Sequence, residues 1–212
     1  MPRVVLLGDS IFDNAAYVGP GEPDVVRQLR AALAADWQAT LLAVDGDTTA
    51  DIEDQLRRLP HDATHLVVSI GGNDALGHLP ALENAADSVA GALLRLADIA
   101  DAFRRDYRAM LDLVLSHRLP TALCTIYEPR FPDDRLQRLG VTALPLFNDV
   151  ITREAFAHHL PLIDLRLICD RDEDYANPIE PSAKGGGKIT AAIAGMLAGH
   201  DFDAGRSQVF VR

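Results

Sequence analysis

Short, nearly unbroken apolar runs alternate along the chain with longer stretches in which apolar residues recur every three or four positions. The runs VVLLG (4–8), TLLAVD (40–45), HLVVSIGG (65–72), TALCTIY (121–127) and LPLIDL (160–165) read as strands covered on both faces, because parallel strands between helix layers lose the polar alternation of a solvated sheet. The intervening stretches predict helices: 23–35, 49–59, a long pair within 83–118, another through 135–158, and a last one over 183–199. Thr48 or Thr49 suits the N-cap of the second helix, with Asp51, Glu53 and Asp54 in its first turn. Pro60, Pro120 and Pro161 each stand shortly before a strand, where proline stops a helix. This alternation predicts an α/β fold, a five-stranded parallel sheet with right-handed crossovers and helices on both faces.

Length and composition narrow the picture without changing it. The 212 residues suit a single domain over 1–212 with a sizeable core. A net charge of −11, spread along the chain, argues against a nucleic-acid partner and against attraction to anionic membranes. No apolar segment reaches the roughly 20 residues of a membrane span. The N-terminus lacks the length of a signal peptide, so a cytoplasmic location is expected. The two cysteines, Cys124 and Cys169, have no metal-type spacing, and Cys124 falls within an apolar run. No cofactor or metal is required by anything in the chain, and oligomeric state is not legible.

The chemistry collects where strands end. In a parallel sheet the carboxyl ends lie on one edge, which is where open α/β folds place their sites. The loops 10–24, 72–82, 127–135 and 166–183 all follow strands and are long, as loops that build a site are. The first strand delivers Asp9 and Ser10, the second VDGDTT with Gly46, the third GGND with Asn73, and the fourth YEPR with Glu128 and Arg130. GDS by itself reads as a turn, since Gly, Asp and Ser are the residues turns prefer, or as a nucleophile, Ser10, held at the sheet edge. The backbone N–H groups of Ser10 and Gly46, with the Asn73 amide, suit an oxyanion.

GDSI near the N-terminus, a glycine after the second strand, GGND after the third, and NPIEPSAKGGGKI before the last helix together resemble the SGNH (GDSL-type) hydrolases over nearly the whole chain. The resemblance implies a flavodoxin-like, three-layer α/β/α fold and hydrolysis of a small ester through a Ser10 acyl-enzyme. It assigns the oxyanion hole to Ser10, Gly46 and Asn73. In the last motif the family normally carries Asp-x-x-His-Pro. Aligned on Pro181, this chain has Asn177 at the aspartate position and Glu180 at the histidine position.

A serine without its histidine lacks the usual general base, and three readings follow. A histidine elsewhere compensates: of the seven, only His78, after GGND, belongs to the catalytic edge, while His61, His65, His117, His158, His159 and His200 belong to the other. Alternatively Glu180 is the base, a Ser–Glu pairing that resembles the sedolisin-type serine-carboxyl peptidases on another fold. Its free pKa of about 4.3 would then need raising by burial or by acids such as Asp9, Asp172 or Asp174, with Asn177 orienting it. In the third reading hydrolysis is lost and the cleft binds acyl or sugar-like ligands. Asp9, Glu128 and Arg130 are cleft candidates, Glu128 and Arg130 equally a pair at its rim. Asn148 and Asp149 suit the start or cap of a helical turn, with a cleft role the alternative, and Trp37 suits packing. AKGGGKIT lacks the Ser or Thr that a phosphate loop needs after its lysine, so its glycines are assigned to packing. The acids of the 166–183 loop fit no calcium-loop spacing.

Overall fold

The computed structural model describes residues 1–211. The chain runs β1 (Arg3–Gly8), α1 (Val25–Ala32), β2 (Gln38–Leu41), α2 (Ile52–Leu56), β3 (His65–Ser69), α3 (Gly72–Gly77), α4 (Val89–Ser116), β4 (Thr121–Cys124), α5 (Asp134–Ala143), α6 (Pro145–Ala157), β5 (Leu162–Ile163), α7 (Leu165–Ile168), α8 (Ala183–Gly199) and β6 (Val209–Phe210). The strands form one parallel sheet in the order β2-β1-β3-β4-β5-β6. The order β2-β1-β3-β4-β5 is the flavodoxin-like one. The sheet has six strands rather than five: two residues of the tail, Val209 and Phe210, pair with Leu162 and Ile163.

Alternation along β1 builds both helix layers. Val4 and Leu6 face a core made with Val25, Leu29, Ile189 and Ile193 of α1 and α8. Val5 and Leu7 face the opposite core, made with α2, α4 and α6 through Ile52, Phe103, Tyr107 and Ile151. Trp37 packs against the first core, its ring 4.9 Å from that of His65.

Several boundaries differ from the sequence reading for physical reasons. In place of the expected helical pair within 83–118 there is one uninterrupted helix, the 28-residue α4, preceded by a 3-10 turn at Leu79–Glu83, with Ser88 capping α4 by accepting the Gly91 N–H. The stretch 135–158 is two helices instead, because Pro145 has no N–H to continue the first and opens the second. Thr48 starts the second helical segment through a reciprocal contact with Asp51, its N–H and hydroxyl both donating to Oδ2 at 2.8 Å. Asn148 is not a cap. It is buried in α6, where its amide accepts the Ile126 N–H and donates to the Ile126 carbonyl at 2.8 Å. No helix among the described residues is long and apolar enough to cross a membrane.

Candidate active site

β1 ends at a glycine because nothing else fits. A Cβ on Gly8 would lie 1.8 Å from the Ser69 carbonyl oxygen, and its φ of +136° suits no L side chain. The next carbonyl, that of Asp9, accepts the N–H groups of Phe12 and Asp13, which closes a tight turn around Ser10. The Ser10 hydroxyl donates to Oε1 of Glu180 at 3.1 Å, across 170 residues of sequence. The structure therefore brings the two together, while His78 stays apart. His78 lines the same cavity, but its ring lies 6.1 Å from that of Phe147 and it makes no hydrogen bond to Ser10.

Glu180 is held through its backbone. The isolated bridge Tyr175–Pro181 and the Ala176 N–H on the Glu180 carbonyl make a tight hairpin. Four successive carbonyls are occupied: Pro178 by the Arg130 N–H, Ile179 by the Tyr127 hydroxyl, Glu180 by Ala176, and Pro181 by the Asn14 amide. Asn177 orients Glu180, but through the main chain: its Oδ1 accepts the N–H groups of Ile179 and Glu180, each at 3.0 Å. The carboxyl group itself is buried, and its Oε2 has no hydrogen-bond partner among the described residues.

Burial raises the Glu180 carboxyl to about 7; the Ser10 hydroxyl pulls it back, and the charge of Asp45 adds to the rise. The reinforcing acid is thus Asp45 rather than Asp172 or Asp174. Asp172 pairs with Arg130 at 3.2 Å, and Asp174 with Lys188 at 2.7 Å. Asp9 is buried beside Ser10, with Oδ1 accepting the Ile11 N–H at 3.1 Å. Burial lifts it to about 8, the Ile11 bond opposes that, and the charges of Glu180 and Asp74 add to it. Two carboxyls with pKa values near neutrality therefore flank one serine.

Of the other expected donors, Asn73 lines the cavity that Ser10 opens, and the loop that carries Gly46 is tied to it. Gly46 turns the second loop with a φ of +89°. Asn73, in the first turn of α3, donates one amide hydrogen to the Asp47 carbonyl at 2.9 Å, which ties that loop to α3. Asp74 fixes the same pair of elements by accepting the Thr49 N–H and hydroxyl at 3.1 and 2.6 Å. Among the described residues, the N–H groups of Ser10 and Gly46 donate to no protein group.

Sequence reasoning missed two residues that assemble this site. Gln55, fully buried in α2, accepts the Gly8 N–H at 2.9 Å and donates to the Gly8 carbonyl and to Asp47 Oδ2, both at 2.7 Å. It joins the strand that carries Ser10 to the loop that carries Gly46. Its signal was a glutamine on the buried face of a helix, between Ile52 and Leu56. Asn14, also fully buried, joins the Pro181 carbonyl to the Val25 N–H at the start of α1.

Glu128 and Arg130 do not line the cavity around Ser10. They line a separate depression with Asp164, Arg166 and Asp170. There Arg130 lies 3.9 Å from Glu128 and stacks over the Tyr175 ring at 4.9 Å. The glycines of α8 are packing residues: a Cβ on Gly185 would meet the Asp174 carbonyl oxygen at 2.1 Å.

The fold recurs in solved structures at low sequence identity. A lipase from a goat rumen metagenome matches with a TM-score of 0.67 at 19% identity, covering 94% of this chain and 98% of that one. An extracellular lipase from Streptomyces rimosus matches at 0.64 and 15%, covering 93% and 99%. A phospholipase A1 from Streptomyces albidoflavus matches at 0.61 and 18%, covering 92% and 98%. No curated protein matches the sequence. The profile of one family spans residues 6–186, from β1 ahead of Ser10 to the opening of α8 beyond Glu180. By that match, which takes in every residue of the Ser10 constellation, the chain belongs to the GDSL-like lipase/acylhydrolase family.

Proposed function

We propose that the protein is a serine ester hydrolase in which Glu180 takes the place of the usual histidine. The observation that carries this reading is the hydrogen bond from the Ser10 hydroxyl to the buried Glu180 carboxyl. A carboxylate with an ordinary pKa would be too weak a base. One raised to about 7 is substantially ionised at neutral pH and basic enough to take a proton there.

Glu180 removes the hydroxyl proton as Ser10 Oγ attacks the ester carbonyl carbon. The charge that develops on the carbonyl oxygen is met by the N–H groups of Ser10 and Gly46 and by the second amide hydrogen of Asn73. Glu180 returns the proton to the alcohol oxygen as the carbon–oxygen bond breaks, leaving the acyl group on Ser10. Water, deprotonated by Glu180, then attacks the acyl carbon, and the proton passes to Ser10 as the acid leaves. Asp9, with a pKa of about 8, is mostly neutral at pH 7, so a second full negative charge does not accumulate beside Glu180. Family membership supports an ester as the substrate. The two cysteines, buried as free thiols, fit a reducing, intracellular compartment.

The test is hydrolysis of p-nitrophenyl acetate by the wild type and by Ser10→Ala. Turnover that disappears in the variant supports the reading. Equal rates in the two proteins would leave a cleft that binds without hydrolysing.

A further inference from the structure

Asp9 stands one residue before the nucleophile, and the mechanism above asks nothing of it beyond staying neutral. Its carboxyl is buried and lines the cavity that Ser10 opens. The two oxygens are not equivalent. Oδ1 is held by the Ile11 N–H at 3.1 Å, which fixes the group at its base. Oδ2 has no hydrogen-bond partner on another residue among the described residues. It lies beside Gly72 at the head of α3, where a Cβ would be 3.5 Å from it. Glycine leaves that oxygen without a side chain over it, and the next residue, Asn73, lines the same cavity.

A buried carboxyl oxygen without a partner is costly in an anion and available as a donor in a neutral acid. The surroundings decide between the two. The charges that reach Asp9, from Glu180 in the hairpin before α8 and from Asp74 in α3, are both negative. Cys124 of β4 and Tyr127 just beyond it also face Asp9, and burial keeps the thiol and the hydroxyl protonated. Glu180 is raised to about 7 and Asp9 to about 8, so Glu180 ionises while Asp9 still holds its proton. With Oδ1 committed as an acceptor, that proton sits on Oδ2.

Resting on the hydrolytic reading above, we infer that Asp9 is a further catalytic residue, a neutral acid whose Oδ2 donates a hydrogen bond to the substrate's carbonyl oxygen alongside Asn73. The proton stays on Asp9 throughout, and the bond strengthens as charge grows on the carbonyl oxygen. The two carboxyls beside Ser10 thus divide the work: one takes a proton and the other offers one. Loss of the Asp9 proton removes a donor and sets a negative charge beside the forming oxyanion. Turnover therefore falls about tenfold per pH unit above pH 8.

The experiment measures kcat/KM for p-nitrophenyl acetate between pH 5.5 and 9.5 in the wild type, Asp9→Asn and Asp9→Ala, with Ser10→Ala as the background. Calorimetric binding of hexanamide to Ser10→Ala, with and without Asp9→Asn, runs beside it at pH 7 and 9.5. The wild-type profile should rise through about 7 and fall above about 8. Asparagine still accepts the Ile11 N–H and offers an N–H where Oδ2 stood. Asp9→Asn should therefore keep activity within about tenfold of the wild type at pH 7 and show no alkaline fall, whereas Asp9→Ala, with no donor, should lose about 10²–10³. If the alanine variant does not fold, the asparagine profile decides alone. A wild type with no alkaline fall, a fall that persists in Asp9→Asn, or a folded Asp9→Ala as active as Asp9→Asn overturns the assignment. If no ester is turned over in a Ser10-dependent way, the hydrolytic reading fails separately, and the amide decides. Hexanamide binding that weakens about tenfold or more from pH 7 to 9.5 in Ser10→Ala, but not once Asp9→Asn is added, upholds the donor. Binding that is equal at the two pH values, or absent at both, overturns it.

Discussion

Glu180→Gln should abolish turnover and at the same time stabilise the fold, and by an amount that depends on pH. A carboxyl raised from its ordinary 4.5 to about 7 by burial stabilises the native state only while it keeps its proton. The sign follows directly. Below pH 4.5 the group is neutral in both folded and unfolded chains and costs nothing. Between 4.5 and 7 the unfolded chain ionises first, and above 7 the native state carries the full cost of a buried charge. At about 1.36 kcal/mol per pH unit the shift amounts to ~3 kcal/mol, and the opening of the cavity to solvent trims this to ~2 kcal/mol. Glutamine resembles the protonated acid and does not titrate, so the variant escapes this cost. The assay is thermal unfolding of both proteins at pH 4.5 and pH 8, with esterase activity alongside. The variant should gain about 4–8 °C relative to the wild type on going from the lower pH to the higher, with activity gone. A stability difference that is the same at both pH values would refute the reasoning, as would a variant that still turns over ester.

Asp9→Asn should leave the midpoint of the acid limb of the pH–rate profile where it is in the wild type, because Asp9 keeps its proton up to about 8, beyond the range in which Glu180 ionises, and asparagine can still accept the Ile11 N–H; a lowered midpoint would show that Asp9 is charged while Glu180 titrates. Gln55→Leu should cost about 2–3 kcal/mol in denaturant unfolding by leaving the Gly8 N–H and carbonyl unpaired in the core, and kcat should fall with it, since the Gly46 loop loses its tie. Gly185→Ala should destabilise by roughly 1–3 kcal/mol, as the new methyl collides with the Asp174 backbone; a melting temperature equal to the wild type would contradict that packing. The double variant Asn177→Asp with Glu180→His, which restores the family's usual pair, should retain Ser10-dependent esterase activity, whereas Glu180→Gln should not.

The layers were legible because they rest on periodicity. Unbroken runs such as VVLLG can be satisfied only between two helix layers, and each of the five expected strands is present. β6 carries no such signal: it is two residues long, and its partner, β5, is what makes it a strand. The α5–α6 break was written in Pro145, but the apolar pattern runs through it. For the site, the residue types at the strand ends placed Ser10 and Asn73 on one edge, and the family resemblance, aligned on Pro181, pointed to Glu180. What the sequence could not supply is burial. The desolvation that raises Glu180 depends on how segments distant in the chain pack around it, and the preference for Glu180 over His78 rests on a 3.1 Å contact. Glu128 and Arg130 lie after the correct strand, yet line a different depression. Position along a strand therefore gives the edge of the sheet, and not the side of the cleft.

The central claim, that Glu180 activates Ser10, is tested most directly by the rate of covalent labelling with a fluorophosphonate at pH 7.5, followed by intact mass. Phosphonylation consumes the serine nucleophile without needing deacylation, so it isolates the proton removal assigned to Glu180. One adduct should form on the wild type and none on Ser10→Ala. Labelling should slow by about 10²–10⁴ in Glu180→Gln, and His78→Ala should stay within a few-fold of the wild type. Labelling of Glu180→Gln at the wild-type rate, or its loss in His78→Ala, would contradict the account.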